Sequence, residues 1–114
     1  MKKQRLKGYR KQRIVIASSC YSGSDERCGD SCGWTALPDG KFAAAVSDGM
    51  GKGELAARDS SRAVNSVTAL LKAGMDPEMA LQVLNLLWSL SNRKERFPTM
   101  DLALLDPGSR ELRI

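Results

Sequence analysis

Asp30 and Asp48 are the side chains best placed to do chemistry in this 114-residue chain. Between them lies Pro38-Asp39-Gly40, flanked by two strand-like segments, Ser31 to Leu37 and Lys41 to Ser47. Proline, aspartate and glycine in that order fit a type I turn closing through a positive-φ residue. Such a three-residue hairpin loop often carries a glycine bulge. If Leu37 pairs with Lys41, the numbers of paired residues sum to 78, and Asp30 faces Asp48. Directly opposed residues share a face with Cβ atoms about 4.5–5.5 Å apart. Two carboxylates that close repel, so the pair needs a proton or a cation. Hard divalent ions such as Mg²⁺ and Mn²⁺ take oxygen ligands of this kind, and Gly49 lets its carbonyl approach one with no Cβ in the way. Strand-end carboxylates converging on two metal ions suit metal-assisted hydrolysis of a phosphate ester. The same residues have a plain structural reading, with Asp30 closing a loop and Asp48 capping the next helix. Residue type and spacing leave both open.

The glycines after Asp48 have rival readings that fail in detail. A P-loop needs G-x-x-x-x-G-K followed by Ser or Thr, but Lys52 is followed by Gly53. A dinucleotide fingerprint needs a glycine where Glu54 stands, within a βαβ unit that the pattern lacks. With no histidine in the chain, Ser-His-Asp and Cys-His nucleophile systems are excluded. Cys20, Cys28 and Cys32 are an odd set without histidine, so neither a zinc site nor an even disulfide framework fits them, and they read as reduced thiols.

The elements that must hold these groups follow from periodicity. Arg13 to Ala17 is a short β-branched run that predicts a strand, and Ser22 to Gly29 is a small, polar loop. Asp48-Gly49-Met50-Gly51-Lys52-Gly53 opens a helix over Glu54 to Ala73. Its apolar positions are Leu55, Ala56, Ala63, Val64, Val67, Leu70 and Leu71, and Gly74 is its cap. Asp76-Pro77 restarts a second helix as N-cap and first-turn proline. Met79, Val83, Leu86, Leu87 and Leu90, widened by Leu81, Leu84 and Trp88, predict that this helix is largely buried. Ser91 to Pro98 is a charged loop, Thr99 to Leu105 a strand, Asp106-Pro107-Gly108 a turn, and Glu111 to Ile114 the start of another strand. A hairpin arm that short leaves an open sheet edge, so the pattern reads as the N-terminal portion of a larger catalytic domain.

Composition bounds the rest. Apolar residues make up 42% and charged residues 27%, as in an average globular domain, and no apolar run approaches the roughly 18 residues of a membrane span. The net charge of +5 is uneven. Residues 1–13 carry seven basic and no acidic groups, while residues 14–114 carry 11 basic and 13 acidic. The division is therefore a basic arm over 1–13 and a mildly acidic domain over 14–114. The arm reads as a solvated leader, and nucleic acid is not an expected partner because only Tyr9 accompanies the charges.

Phe42-Ala43-Ala44-Ala45-Val46-Ser47-Asp48-Gly49-Met50-Gly51-Lys52-Gly53 resembles the second acidic motif of the PPM-type (type 2C-like) metal-dependent protein phosphatases. Within them it is most similar to the stage II sporulation protein E branch, with its Ser-Asp-Gly-Met-Gly-x-Gly motif. Gly29-Asp30-Ser31 resembles that branch's first acidic motif, and Thr99-Met100-Asp101-Leu102-Ala103-Leu104-Leu105-Asp106 continues the match, which runs roughly from Arg13 to Ile114. The resemblance implies an α+β fold, part of a four-layer αββα sandwich with antiparallel sheets flanked by two long helices. It implies two Mn²⁺ or Mg²⁺ ions held by Asp30, Asp48 and the Gly49 carbonyl, with no catalytic residue beyond these ligands. It implies protein serine/threonine phosphatase activity through a metal-activated water, on a phosphorylated regulatory protein such as an anti-sigma factor antagonist. The two helices correspond to the region thought to move and organise the metal site. The family's later metal-binding aspartates are absent, and Asp101 and Asp106 fall on a strand and its turn, so they are assigned structural roles. A cytoplasmic location, a homodimer completing the site, and a truncated, non-catalytic interaction module as the alternative function follow from the same comparison.

Overall fold

A computed structural model describes residues 3–5, 17, 19, 28–49, 53–90 and 98–114. Its elements are β1 (Lys3–Arg5), β2 (Asp30–Ala36), β3 (Phe42–Asp48), α1 (Gly53–Lys72), α2 (Pro77–Leu90), β4 (Asp101–Asp106) and β5 (Glu111–Arg113). The strands form one antiparallel sheet in the order β1-β5-β4-β3-β2. The strand expected at Arg13 to Ala17 and most of the Ser22 to Gly29 loop lie outside the described residues, as does Cys20.

The central hairpin forms as its turn sequence requires. Gly40 has φ +83°, its N–H donates to the Leu37 carbonyl, and the Leu37 N–H donates to the Lys41 carbonyl. The Asp39 carboxylate accepts the Lys41 N–H at 3.2 Å, so the side chain reinforces the turn it occupies. Register follows, with Ala36 opposite Phe42 and Asp30 opposite Asp48. At the far edge, the sheet departs from the expected open end. Lys3–Arg5, within the basic segment, pairs with Glu111–Arg113, so β1 covers the outer side of β5. A strand with unpaired N–H and C=O groups is a template for any extended segment within reach, charged or not.

Both helices lie on one face of the sheet. Ala43, Ala45, Leu102 and Leu104 from β3 and β4 meet Ala63, Val64, Val67 and Leu71 from α1, and Ala80 and Leu84 from α2 complete the core. Helix α1 sits closest over β2, where Gly33 is the reason: a Cβ there would stand 2.8 Å from Val64 Cγ1. Its C-terminus closes in a Schellman motif, with Gly74 at φ +95° donating to Leu71 and Met75 donating to Leu70. The Asp76 carboxylate then accepts the N–H groups of Glu78 and Met79, capping α2.

Helix α2 is not the largely buried element its composition predicts. Only Ala80 and Leu84 are buried, with Leu81 and Trp88 packed partly against the core. Met79, Leu86, Leu87 and Leu90 are 51–75% exposed. Apolar residues run most of the way round this helix, but it has α1 on one side only, and no other described element covers the rest. On the opposite face of the sheet, Trp34 (56% exposed) and Val46 (51%) are likewise uncovered. The described architecture is therefore α+β, with one helix layer on one sheet.

Candidate metal centre

The site is built at the end of β2 and β3 away from the hairpin turn. Alternation places Asp30, Cys32 and Trp34 on the exposed face of β2 and Val46 and Asp48 on that of β3. Asp30 and Asp48 are register partners, so both carboxylates leave the sheet on the same side. They are close enough to interact: the Asp30 carboxyl is raised above its ordinary 3.8, first by a hydrogen bond with Asp48, then by burial and by the Asp48 charge. The Gly49 N–H works against this by favouring the ionised form. Two carboxylates this close carry excess negative charge, which a proton or a divalent cation would balance.

The backbone around the pair is tightly fixed. The Gly49 N–H donates to the Gly29 carbonyl at 3.2 Å, which ties the residue after Asp48 to the residue before Asp30. A Cβ on Gly49 would run into the carbonyl oxygens of Ala56 and Gly29, so only glycine lets the chain pass between β3 and α1 here. On its other side, Asp48 is held by Thr99, two residues before β4: its N–H donates to Thr99 Oγ1 at 3.3 Å, and its carbonyl accepts the Thr99 N–H at 3.0 Å.

Of the predicted site residues, Asp30, Asp48 and Gly49 come together at one strand end. Asp101 pairs with Val46 on β4 and so shares the exposed face, diagonal to Asp48. Asp106 closes the β4–β5 turn by accepting the Gly108 and Ser109 N–H groups, the structural part expected of it. Its carboxyl lies below the usual value, chiefly through the Ser109 N–H. Among the described residues, no group of three or more His, Cys, Asp or Glu side chains forms a metal cage. The donor set nonetheless fits a hard cation, since both side chains offer oxygen and the pair lacks charge balance. The cysteines depart from expectation: Cys28 is disulfide-bonded, and Cys32 is free and exposed. Three cysteines leave room for one bridge and one thiol, so the odd count did not imply three reduced thiols.

Sequence reasoning missed the polar residues beneath the site. Ser60 of α1 is fully buried, donates to the Gly29 carbonyl at 2.6 Å and lies 2.8 Å from Ser31 Oγ. Its signal was present, since Ser60 falls four residues after Ala56 and three before Ala63 on the apolar stripe. Asp59 and Ser47 are also buried. A groove of about 840 Å³ lies at the opposite end of the sheet, between the hairpin turn and the start of α2. It has no part in the carboxylate pair.

This arrangement of sheet and helices matches part of a PP2C-type phosphatase domain. The chain aligns with a solved structure of the PP2C phosphatase domain and a fragment of the regulatory domain of the cell fate determinant SpoIIE from Bacillus subtilis. The match has TM-score 0.64 and 34% identity, and covers 74% of this chain and 24% of that one. The family model for stage II sporulation protein E matches residues 38–114, and the chain belongs to that family. It is 40% identical over 78 residues to stage II sporulation protein E of Priestia megaterium, and 36% identical over 90 residues to that of Bacillus subtilis (strain 168). These alignments cover 68% and 79% of this chain but only 13% and 11% of the two relatives.

Proposed function

We propose that this chain contributes the first two acidic motifs of a metal-dependent protein serine/threonine phosphatase. The observation that carries the reading is the register pairing of Asp30 with Asp48 at the head of Ser-Asp-Gly-Met-Gly-Lys-Gly. Asp30, Asp48 and the Gly49 carbonyl would hold Mn²⁺ or Mg²⁺. When bound, two such ions neutralise a phosphate group and acidify a water beside it. The chain's own part is positional. The β2–β3 register sets the spacing of the carboxylates, the Gly49–Gly29 hydrogen bond fixes the strand ends, and Thr99 holds Asp48 from just before β4.

The substrate class is a phosphoserine or phosphothreonine protein, with a phosphorylated anti-sigma factor antagonist as the regulatory target consistent with the family. Among the described residues no helix is long and apolar enough to cross a membrane. The domain division between a basic arm and residues 14–114 belongs to the same proposal, although Lys3–Arg5 also serves the sheet. A non-catalytic interaction module is the second reading. The absence of a third clustered acid among the described residues favours it. Release of inorganic phosphate from a phosphoserine peptide, titrated with Mn²⁺, separates the two. Metal-dependent turnover that Asp48→Ala abolishes supports the phosphatase reading, and no turnover from either chain supports the module.

A further inference from the structure

The hydroxyl of Ser60 brackets Asp30. It donates to the carbonyl of Gly29, the preceding residue, at 2.6 Å, and stands 2.8 Å from the hydroxyl of Ser31, the following one. The shorter bond fixes the direction of the pair: the Ser60 proton is committed to Gly29, so Ser31 donates to Ser60 Oγ. The Gly29 carbonyl also accepts the Gly49 N–H. One buried oxygen of α1 is thus one bond from both sides of Asp30 and two bonds from Gly49. One turn earlier on the same helix, the Ala56 carbonyl abuts Gly49 so closely that no Cβ fits between them.

Nothing in the packing of α1 requires a hydroxyl at this position. Ala56, Ala57, Ala63 and Val64 fill neighbouring positions of the buried face, which also holds Asp59. A buried hydroxyl is retained at the cost of desolvation only where its hydrogen bonds offset it; beside a longer 3.2 Å bond to the Ala57 carbonyl of its own helix, the two shorter ones go to residues flanking Asp30.

We propose that Ser60 is a positioning residue that sets Asp30 and Gly49 for cation binding. The proposal rests on the metal reading of Asp30 and Asp48. Groups that orient metal ligands from behind alter metal affinity by roughly 10–100-fold when removed.

The test uses the full chain, with Mn²⁺ as probe, in two measurements. Amide hydrogen exchange on the metal-free chain reports the Gly49 N–H, and calorimetric titration reports the Mn²⁺ dissociation constant. In Ser60→Ala, Gly49 exchange rises about tenfold while the central-strand Ala45 amide stays within about twofold, and the dissociation constant rises at least about tenfold. Ser31→Ala, which leaves the bond from Ser60 to Gly29 in place, changes both by less. Ala69→Gly weakens α1 at an exposed position far from Gly29 and leaves the dissociation constant unchanged. Ser60→Ala binding Mn²⁺ as tightly as the unsubstituted chain would overturn the proposal, as would an equal loss in Ala69→Gly. An unsubstituted chain that takes up no Mn²⁺ removes the cation reading itself and the proposal with it, and that failure is visible in the first isotherm.

Discussion

Replacing Asp48 by asparagine should stabilise the metal-free protein and destabilise it relative to the unsubstituted chain once Mn²⁺ is present. Both effects have the same origin, two carboxylates in register on an exposed sheet face. Opposed residues stand about 5 Å apart at Cβ, and at that distance two like charges in water repel by about 0.8 kcal/mol. The water value applies because both side chains are exposed; a dielectric near 20 would raise the figure to about 3 kcal/mol and does not describe this surface. Asparagine also donates an N–H to Asp30 where a second carboxylate cannot. Metal-free Asp48→Asn is therefore more stable by up to about 1 kcal/mol, or roughly 4 °C in melting temperature for a domain of this size. Mn²⁺ at a hundred times its dissociation constant adds about 2.7 kcal/mol to the unsubstituted chain, roughly 10 °C, and adds little to the variant. Thermal unfolding followed by circular dichroism, with and without Mn²⁺, reads the crossing directly. The reasoning fails if the variant melts lower without metal, or if Mn²⁺ raises both proteins equally.

Two further predictions concern the frame and the titration of the site. Gly33→Ala places a methyl group against Val64 Cγ1 at the closest approach of α1 to β2, and costs about 1–3 kcal/mol by overpacking. Urea unfolding measures it, and the double variant with Val64→Ala should recover most of the loss. In the metal-free chain, carboxyl-detected NMR should find Asp30 titrating above 3.8 and Asp106 below it. The signs then differ. Asp106, whose carboxyl is lowered in the fold, contributes stability that is present above 3.8 and lost as pH falls through its folded value. Asp30, whose carboxyl is raised, contributes stability that is full below 3.8 and lost as pH rises through its folded value.

How far the sequence revealed the site depends on whether the information was local. Pro38-Asp39-Gly40 fixes a loop length, loop length fixes register, and register brings residues 30 and 48 face to face without any tertiary knowledge. The caps at Gly74 and Asp76 are legible for the same reason, since each acts within its own turn. Burial is not local. Leu86, Leu87 and Leu90 carry the same apolar signal as Leu84, and only the position of α1 determines that Leu84 is the one covered. Ser60 is the converse case, because a hydroxyl on an apolar stripe carries no sign of its role until the carbonyl it serves, 31 residues away, is brought to it. The pairing of Lys3–Arg5 with β5 lies beyond pattern reading altogether, since three charged and polar residues carry no strand signal and the partner is at the other end of the chain.

The central claim is that Asp30, Asp48 and Gly49 hold a hard divalent cation. It is tested most directly by following free Mn²⁺ by electron paramagnetic resonance as the full chain is added, beside Asp30→Asn and Asp48→Asn. The free-ion signal should fall with the unsubstituted chain, and either single substitution should restore it. Equal uptake by all three proteins, or none by the unsubstituted chain, would contradict the claim.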